Sequence, residues 1–207
     1  MAEWSNGTVS VGADGKVRCA WVTALESDEQ LLRYHDEEWG TPSRDEAAVF
    51  EALSLGVFQA GLGWLTVLHK RDAFREAFHG FDPVRVAEMS RDDVDGLLQN
   101  AAIIRNRAKI EATIHNAAIA ATGEQSLVDL ALDFAPVDSE RPVSGADVGV
   151  TSPEAEALST RLKKHGYTFV GPTSVYAFMQ SIGVVNDHIL GCFRGDQLDA
   201  GSAGSAD

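Results

Sequence analysis

Two cysteines in 207 residues are too few for a disulfide framework. No uninterrupted apolar run approaches the length that spans a bilayer, and the opening Met1-Ala2-Glu3-Trp4-Ser5-Asn6-Gly7 has no apolar signal segment. The reading is a soluble, cytoplasmic protein with no membrane partner. Basic residues are scarce as well: 17 Lys and Arg stand against 31 Asp and Glu, a formal net charge of −14. Affinity for nucleic acid comes largely from neutralising phosphates, so this balance argues against polyanion binding over the whole surface and leaves room only for a local basic face. There is no internal repeat. No segment alternates apolar and polar residues long enough to suggest a sheet, so the expected class is all-α.

The hydrophobic content, 44% of residues, suffices for one substantial core or two small lobes sharing one. Ser43-Arg44-Asp45-Glu46 has the capping-box pattern, and Val49, Phe50, Leu53 and Val57 follow on one helix face, which predicts a helix from near Arg44. Asp82-Pro83 and Ser90-Arg91-Asp92-Asp93 each predict a further start. Arg105 to Ala121 carries Ile110, Ile114 and Ala117 at helical spacing, and Gly123 ends it. Residues 136–150 are turn-rich and predict a surface connection; Ser152-Pro153 then opens a helix to about Lys164, and another spans about Thr173 to Gly183. Residues 1–17 are polar and aperiodic, a flexible N-terminal arm, and 195–207 have linker composition, a disordered tail. Positive groups gather at Arg105, Arg107 and Lys109 and at Arg161, Lys163 and Lys164; solvated helix surface is the commoner meaning of such clusters.

Two distant stretches carry the chemistry, Tyr34-His35-Asp36-Glu37-Glu38-Trp39-Gly40 and Asn186-Asp187-His188-Ile189-Leu190-Gly191-Cys192. With Cys19 they contribute four possible metal ligands, Cys19, His35, His188 and Cys192. If the second stretch is helical, His188 and Cys192 share a face. The residue types alone leave three readings open: a metal clip, four ordinary buried groups, or a Cys19–Cys192 disulfide, which would need an oxidising compartment.

Further segments join these in a fixed order: Cys19-Ala20-Trp21-Val22, Phe58-Gln59-Ala60-Gly61-Leu62-Gly63-Trp64-Leu65, Phe81-Asp82-Pro83, Ile103-Ile104-Arg105-Asn106-Arg107, Tyr167-Thr168-Phe169-Val170-Gly171 and Phe178-Met179-Gln180. Together they resemble the type I 3-methyladenine DNA glycosylases of bacteria, in the helix-hairpin-helix glycosylase superfamily. The resemblance runs from about residue 18 to 193 and implies a helical glycosylase domain over residues 18–194. Its N- and C-terminal segments would be joined by a structural zinc ion on Cys19, His35, His188 and Cys192. It implies base-binding roles for Trp21, Tyr34 and Trp64, and a hairpin at Asn100-Ala101-Ala102-Ile103-Ile104-Arg105 whose amides meet a DNA phosphate. Arg105, Arg107 and Lys164 are the candidate DNA contacts.

The implied activity is hydrolysis of the N-glycosyl bond of alkylated purines in damaged double-stranded DNA by a monomer that releases the free base. Two departures from the family stand out. Ala102 and Ala108 replace glycines, and Gly56 occupies the place of a glutamate that contacts the bound base. Loss of that carboxylate points to altered specificity, or to the alternative of a non-catalytic zinc-stabilised binder of damaged DNA or purine base. The catalytic residue itself is not assigned by the sequence.

Overall fold

The computed structural model describes residues 7–123, 125–137 and 140–203. It divides into two compact units, one built from Met1–Pro42, Pro136–Val150 and Met179–Asp207, the other from Ser43–Ala135 and Thr151–Phe178.

The first unit opens with an antiparallel hairpin of β1 (Val9–Val11) and β2 (Val17–Cys19), in register Val9 to Cys19 and Val11 to Val17. This differs from the all-α expectation and from the structureless arm read over residues 1–17, of which 1–6 lie outside the described residues. Gly15 turns the chain at φ 80, and its amide donates to the Gly12 carbonyl at 2.9 Å. Glycine takes that left-handed conformation without steric cost. Helices α1 (Ala20–Thr23) and α2 (Glu29–Arg33) follow, the latter capped by the Asp28 side chain. A π-helical turn, Tyr34–Glu38, then puts Tyr34 and His35 inside the unit.

The second unit is built of helices and their connections, with no strand among its described residues. Helix α3 (Glu46–Gln59) buries Val49, Phe50, Leu53, Val57 and Phe58. Its N-cap is Asp45 rather than Ser43, because the Asp45 carboxylate accepts from the Ala48 amide at 2.7 Å while the Ser43 hydroxyl accepts from the Asp45 amide. After α4 (Trp64–Leu68), α5 (Arg71–Ala77) and a short 3-10 turn come α6 (Pro83–Ala87) and α7 (Arg91–Gln99), started by Asp82 and by the Ser90–Asp93 capping box as the sequence predicts. Helix α8 (Arg107–Thr122) packs against α6 and α3. Its N-cap is Asn106, so it begins at Arg107, two residues later than the Arg105 read from the sequence. Helices α9 (Leu127–Leu132) and α10 (Pro153–Lys164) complete this unit's core with Leu127, Leu130, Leu158 and Leu162. Helix α11 spans Pro172–Ser181.

Lys109, grouped by the sequence with surface cations, is buried instead. Its ammonium donates to the carbonyls of Phe58 at 2.8 Å and Ala60 at 2.6 Å, satisfying the C-terminal end of α3. A cation there also complements the helix dipole. Lys109 thus fixes the turn that leads through Gly61 and Gly63 to Trp64. Lys109→Met is expected to cost about 2–4 kcal/mol of stability, since the truncated side chain leaves two carbonyls without their donor. The midpoint of denaturant unfolding measures it.

The expected disordered tail is helical over α12 (Phe193–Ala203), with residues 204–207 outside the described residues. The helix is tied down within its unit. Arg141 donates to Asp196 at 2.8 Å and to Asp199 at 3.1 Å, Asn186 donates to Asp199 at 2.9 Å, and Arg194 donates to Thr41 at 2.8 Å. Composition alone does not register such partners.

Candidate metal centre and base-recognition residues

In the first unit, Cys19 at the end of β2, His35 in the π-turn, and His188 and Cys192 before α12 meet with all four side chains fully buried. One ligand atom from each lies within 4.8 Å of every other. The Asn186–Cys192 stretch is not a helix, as the spacing allowed. His188 and Cys192 converge through a turn at Gly191, φ 89, in which the Cys192 amide donates to the Ile189 carbonyl at 2.9 Å. Both cysteines are free thiols, so the disulfide reading falls.

The surroundings decide which imidazole nitrogen faces the cluster. His35 Nδ1 lies 2.8 Å from Asp36 Oδ1, and a carboxylate only accepts, so Nδ1 carries the proton and Nε2 is left towards Cys192, 3.6 Å away. His188 Nε2 lies 3.0 Å from the Trp39 carbonyl, which leaves its Nδ1 unprotonated, 3.8 Å from Cys19 Sγ and 3.5 Å from Cys192 Sγ. A tetrahedral ion with bonds of about 2.0–2.3 Å would hold its ligand atoms roughly 3.3–3.8 Å apart. The three spacings of 3.5, 3.6 and 3.8 Å fall in that range. In its absence the two sulfurs share a proton, which holds the Cys192 thiol far below its ordinary range and the Cys19 thiol far above it.

A second ring of contacts braces the ligands. Arg18, 2% exposed, donates to Asp36 through Nε at 2.9 Å and Nη2 at 2.7 Å, and to Asp14 through Nη1 at 2.7 Å. Burial alone would raise the Asp36 pKa, but hydrogen bonds from Arg18 and then His35 win and hold it below 3.8. The resulting chain Arg18–Asp36–His35 orients the imidazole, as outer-shell carboxylates do at metal sites. Sequence reasoning missed it, although Asp36 directly follows one ligand and Arg18 directly precedes another. Trp21 packs edge-on to His35 at 5.3 Å between centroids and to Trp39 at 5.4 Å. Of the three aromatic candidates, then, Trp21 lines the ligand cluster.

Tyr34 is buried beside His35 in the first unit, while Trp64 opens α4 in the second and is half-buried. Gly56 lies in α3, and a Cβ built there would meet nothing nearer than the Ser174 carbonyl at 4.0 Å. Space for a side chain exists. Glu51 does not supply the missing carboxylate, because it is bound to Arg75 by two hydrogen bonds of 2.8 Å.

In the hairpin between α7 and α8, the Asn100 side chain accepts from the Ala102 amide at 2.9 Å, and Lys70 donates to the carbonyls of Ala101 and Ala102. Neither Ala102 nor Ala108 has a positive φ, so alanine is accommodated at both positions without backbone strain. Arg105 is exposed. Arg107 is exposed but paired with Asp95 at 2.5 Å and Glu111 at 3.4 Å, so a phosphate would have to compete with two carboxylates for it. Lys164 is exposed at the end of α10. None of the helices among the described residues is long and apolar enough to cross a membrane.

A family model described as methyladenine glycosylase matches residues 21–195. The chain is 44% identical over 182 residues to DNA-3-methyladenine glycosylase 1 of Escherichia coli K12, covering 84% of this chain and 95% of that protein. It is 42% identical to the DNA-3-methyladenine glycosylase of Haemophilus influenzae, again over 84% of this chain and 96% of the relative. A crystal structure of 3-methyladenine DNA glycosylase I superposes with a TM-score of 0.79 at 44% identity, over 85% of this chain and 98% of the other. A Staphylococcus aureus structure described as the basis of 3-methyladenine recognition superposes at 0.76 with 33% identity, over 81% and 92%. With a family model over residues 21–195 and relatives at 42–44% identity, the chain belongs to the methyladenine glycosylase family.

Proposed function

We propose that this protein is a base-excision repair glycosylase that hydrolyses the N-glycosyl bond of 3-methyladenine-type purines in damaged duplex DNA. The observation that carries the reading is its 44% identity along 84% of the chain to a 3-methyladenine DNA glycosylase. The non-catalytic binder is the weaker alternative, since both curated relatives are named as glycosylases.

Such an enzyme takes the damaged nucleotide out of the stack and holds the base while water replaces it at the sugar. A 3-methylated adenine is cationic and already a good leaving group, so little proton donation is required. Electron-rich rings favour the cation by stacking and cation–π attraction, worth up to about 2 kcal/mol when desolvated. Tyr34 and Trp64 are the residues assigned that role. Trp21, the third candidate, packs edge-on to His35 in the first unit. The α7–α8 hairpin is the phosphate-binding element of a helix-hairpin-helix fold, with Arg105 the least encumbered cation beside it.

Cys19, His35, His188 and Cys192 hold zinc in this reading, a closed set with no position for activated water, so the ion cross-links the first unit and takes no part in bond cleavage. Asp36→Asn, which removes the charge between Arg18 and His35, is expected to weaken zinc binding by about 10–100-fold in competition with a chromophoric chelator. Because the Asp36 pKa is depressed in the fold, its contribution is present above pH 3.8 and lost as pH falls below it, and this acid-side loss disappears in the variant.

Incubation of the protein with methylated duplex DNA, followed by chromatography of the released bases, tests the function. Free 3-methyladenine is the expected product. Intact DNA in the presence of folded, metal-loaded protein would reject catalysis.

A further inference from the structure

Three non-glycine residues have left-handed backbones: His79, Phe81 and Phe169. Phe81, φ 58, is fully buried and stacks on Phe78 at 5.6 Å, so core packing compensates for its strain. Phe169 has the same φ of 58 but is 44% exposed, and an exposed phenyl ring gains little from the fold in return. Bulky residues in that region are rare, and strain that packing does not repay gathers where a protein binds something.

The strain is enforced on both sides of the ring. Asn116, 1% exposed on α8, donates to the Thr168 carbonyl at 3.0 Å and accepts from the Thr168 amide at 2.9 Å. Ser159, also 1% exposed, donates to the Val170 carbonyl at 2.6 Å. Tyr167 and Val170 are buried on either side, and His115 bonds the Gly166 carbonyl at 3.0 Å. Four elements of the loop are thus pinned inward, and Phe169 is held outward. Immediately before it, Lys163 and Lys164 end α10 exposed and without an ion pair among the described residues, unlike Arg107. On a chain of net charge −14 this is a local cationic edge.

We propose that the loop 166–171 is a DNA-contacting element, in which Phe169 stacks on a base exposed at the disrupted step of the damaged duplex while Lys163 and Lys164 take the flanking phosphates. The assignment rests on the glycosylase reading and deepens it. An aromatic ring needs no base-specific hydrogen bonds, so the contact serves any sequence around a lesion, and a pre-set loop loses less conformational entropy on docking.

The test is binding to a duplex carrying a tetrahydrofuran abasic analogue, followed by fluorescence anisotropy, alongside thermal unfolding. Phe169→Gly is expected to weaken binding roughly 5- to 100-fold. Its Tm is expected to hold or rise, because glycine adopts the left-handed region freely. Phe169→Trp restores binding. Lys163→Ala and Lys164→Ala each lower the slope of log affinity against log salt by about one. If wild type binds while Phe169→Gly binds within about twofold of it, the stacking contact is refuted and the glycosylase reading stands. A drop in Tm with unchanged affinity would make Phe169 structural. A wild type that neither binds the duplex nor releases base brings both readings down.

Discussion

Stripping the metal with a strong chelator, or making Cys192→Ser, is expected to unfold the first unit rather than merely loosen it. Structural zinc contributes on the order of 10–16 kcal/mol in small zinc-bound domains, comparable to the entire stability of a typical protein, about 5–15 kcal/mol. The reason it matters so much here is what the cluster replaces. Around the ligands the buried apolar set is small, Cys19, Ile189 and Cys192 with Val9, Trp21, Trp39 and Val148 against them. Removing the ion would leave two sulfurs and two imidazoles in that core with one shared proton and poor hydrogen bonds. Metal analysis of the native protein should give one zinc per chain, and far-UV circular dichroism with a denaturant titration should show early loss of part of the helix signal after chelation. Full retention of signal and midpoint in metal-free protein would make the four residues a hydrogen-bonded core and nothing more.

Gly56→Glu is expected to raise the rate of 3-methyladenine release by roughly 10–100-fold, the equivalent of one hydrogen bond to a charged acceptor, about 1.5–3 kcal/mol. The backbone is ready for it: Gly56 lies inside a helix, its φ is not left-handed, and an added Cβ has 4.0 Å to its nearest neighbour. Replacing a mid-helix glycine should also add about 0.5–1 kcal/mol of stability, whatever the new side chain does in catalysis. Gly56→Gln separates the two effects, sharing the helix gain without the charge. Equal rates for wild type and Gly56→Glu would mean that this protein recognises its base without a carboxylate at that position. A fall in rate with preserved Tm would mean that the space beside Gly56 is used by a bulkier substrate.

How far the sequence reaches depends on the range of the interaction. Asp82-Pro83, Ser90–Asp93 and Ser152-Pro153 start their helices as read because a cap is settled within four residues. The ligand set was visible as residue types, and the resemblance placed all four together. The hairpin was not visible: strands of three residues are too short to display a period, and Arg18 at its centre points into a buried ion pair rather than to solvent. Lys109 was misread for the same reason. Its partners, Phe58 and Ala60, are carbonyls 51 and 49 residues away, and a backbone acceptor leaves no mark in side-chain composition. The helix of residues 193–203 likewise depends on Arg141, in a connection that looked like plain surface loop.

The metal cluster also sets an order of events during synthesis. Cys19 and His188 are 169 residues apart in the chain, and Cys192 and His35 are 157 apart. At about 5–20 residues per second, Cys19 and His35 leave the ribosome roughly 10–30 s before His188 and Cys192. The whole second unit, Ser43–Ala135 and Thr151–Phe178, lies between the two halves of the ligand set and is translated within that interval. The nascent chain therefore carries an unfinished thiol–imidazole pair for many seconds while the residues of the second unit are added behind it. Closure of the cluster has to wait until His188 and Cys192 have been made.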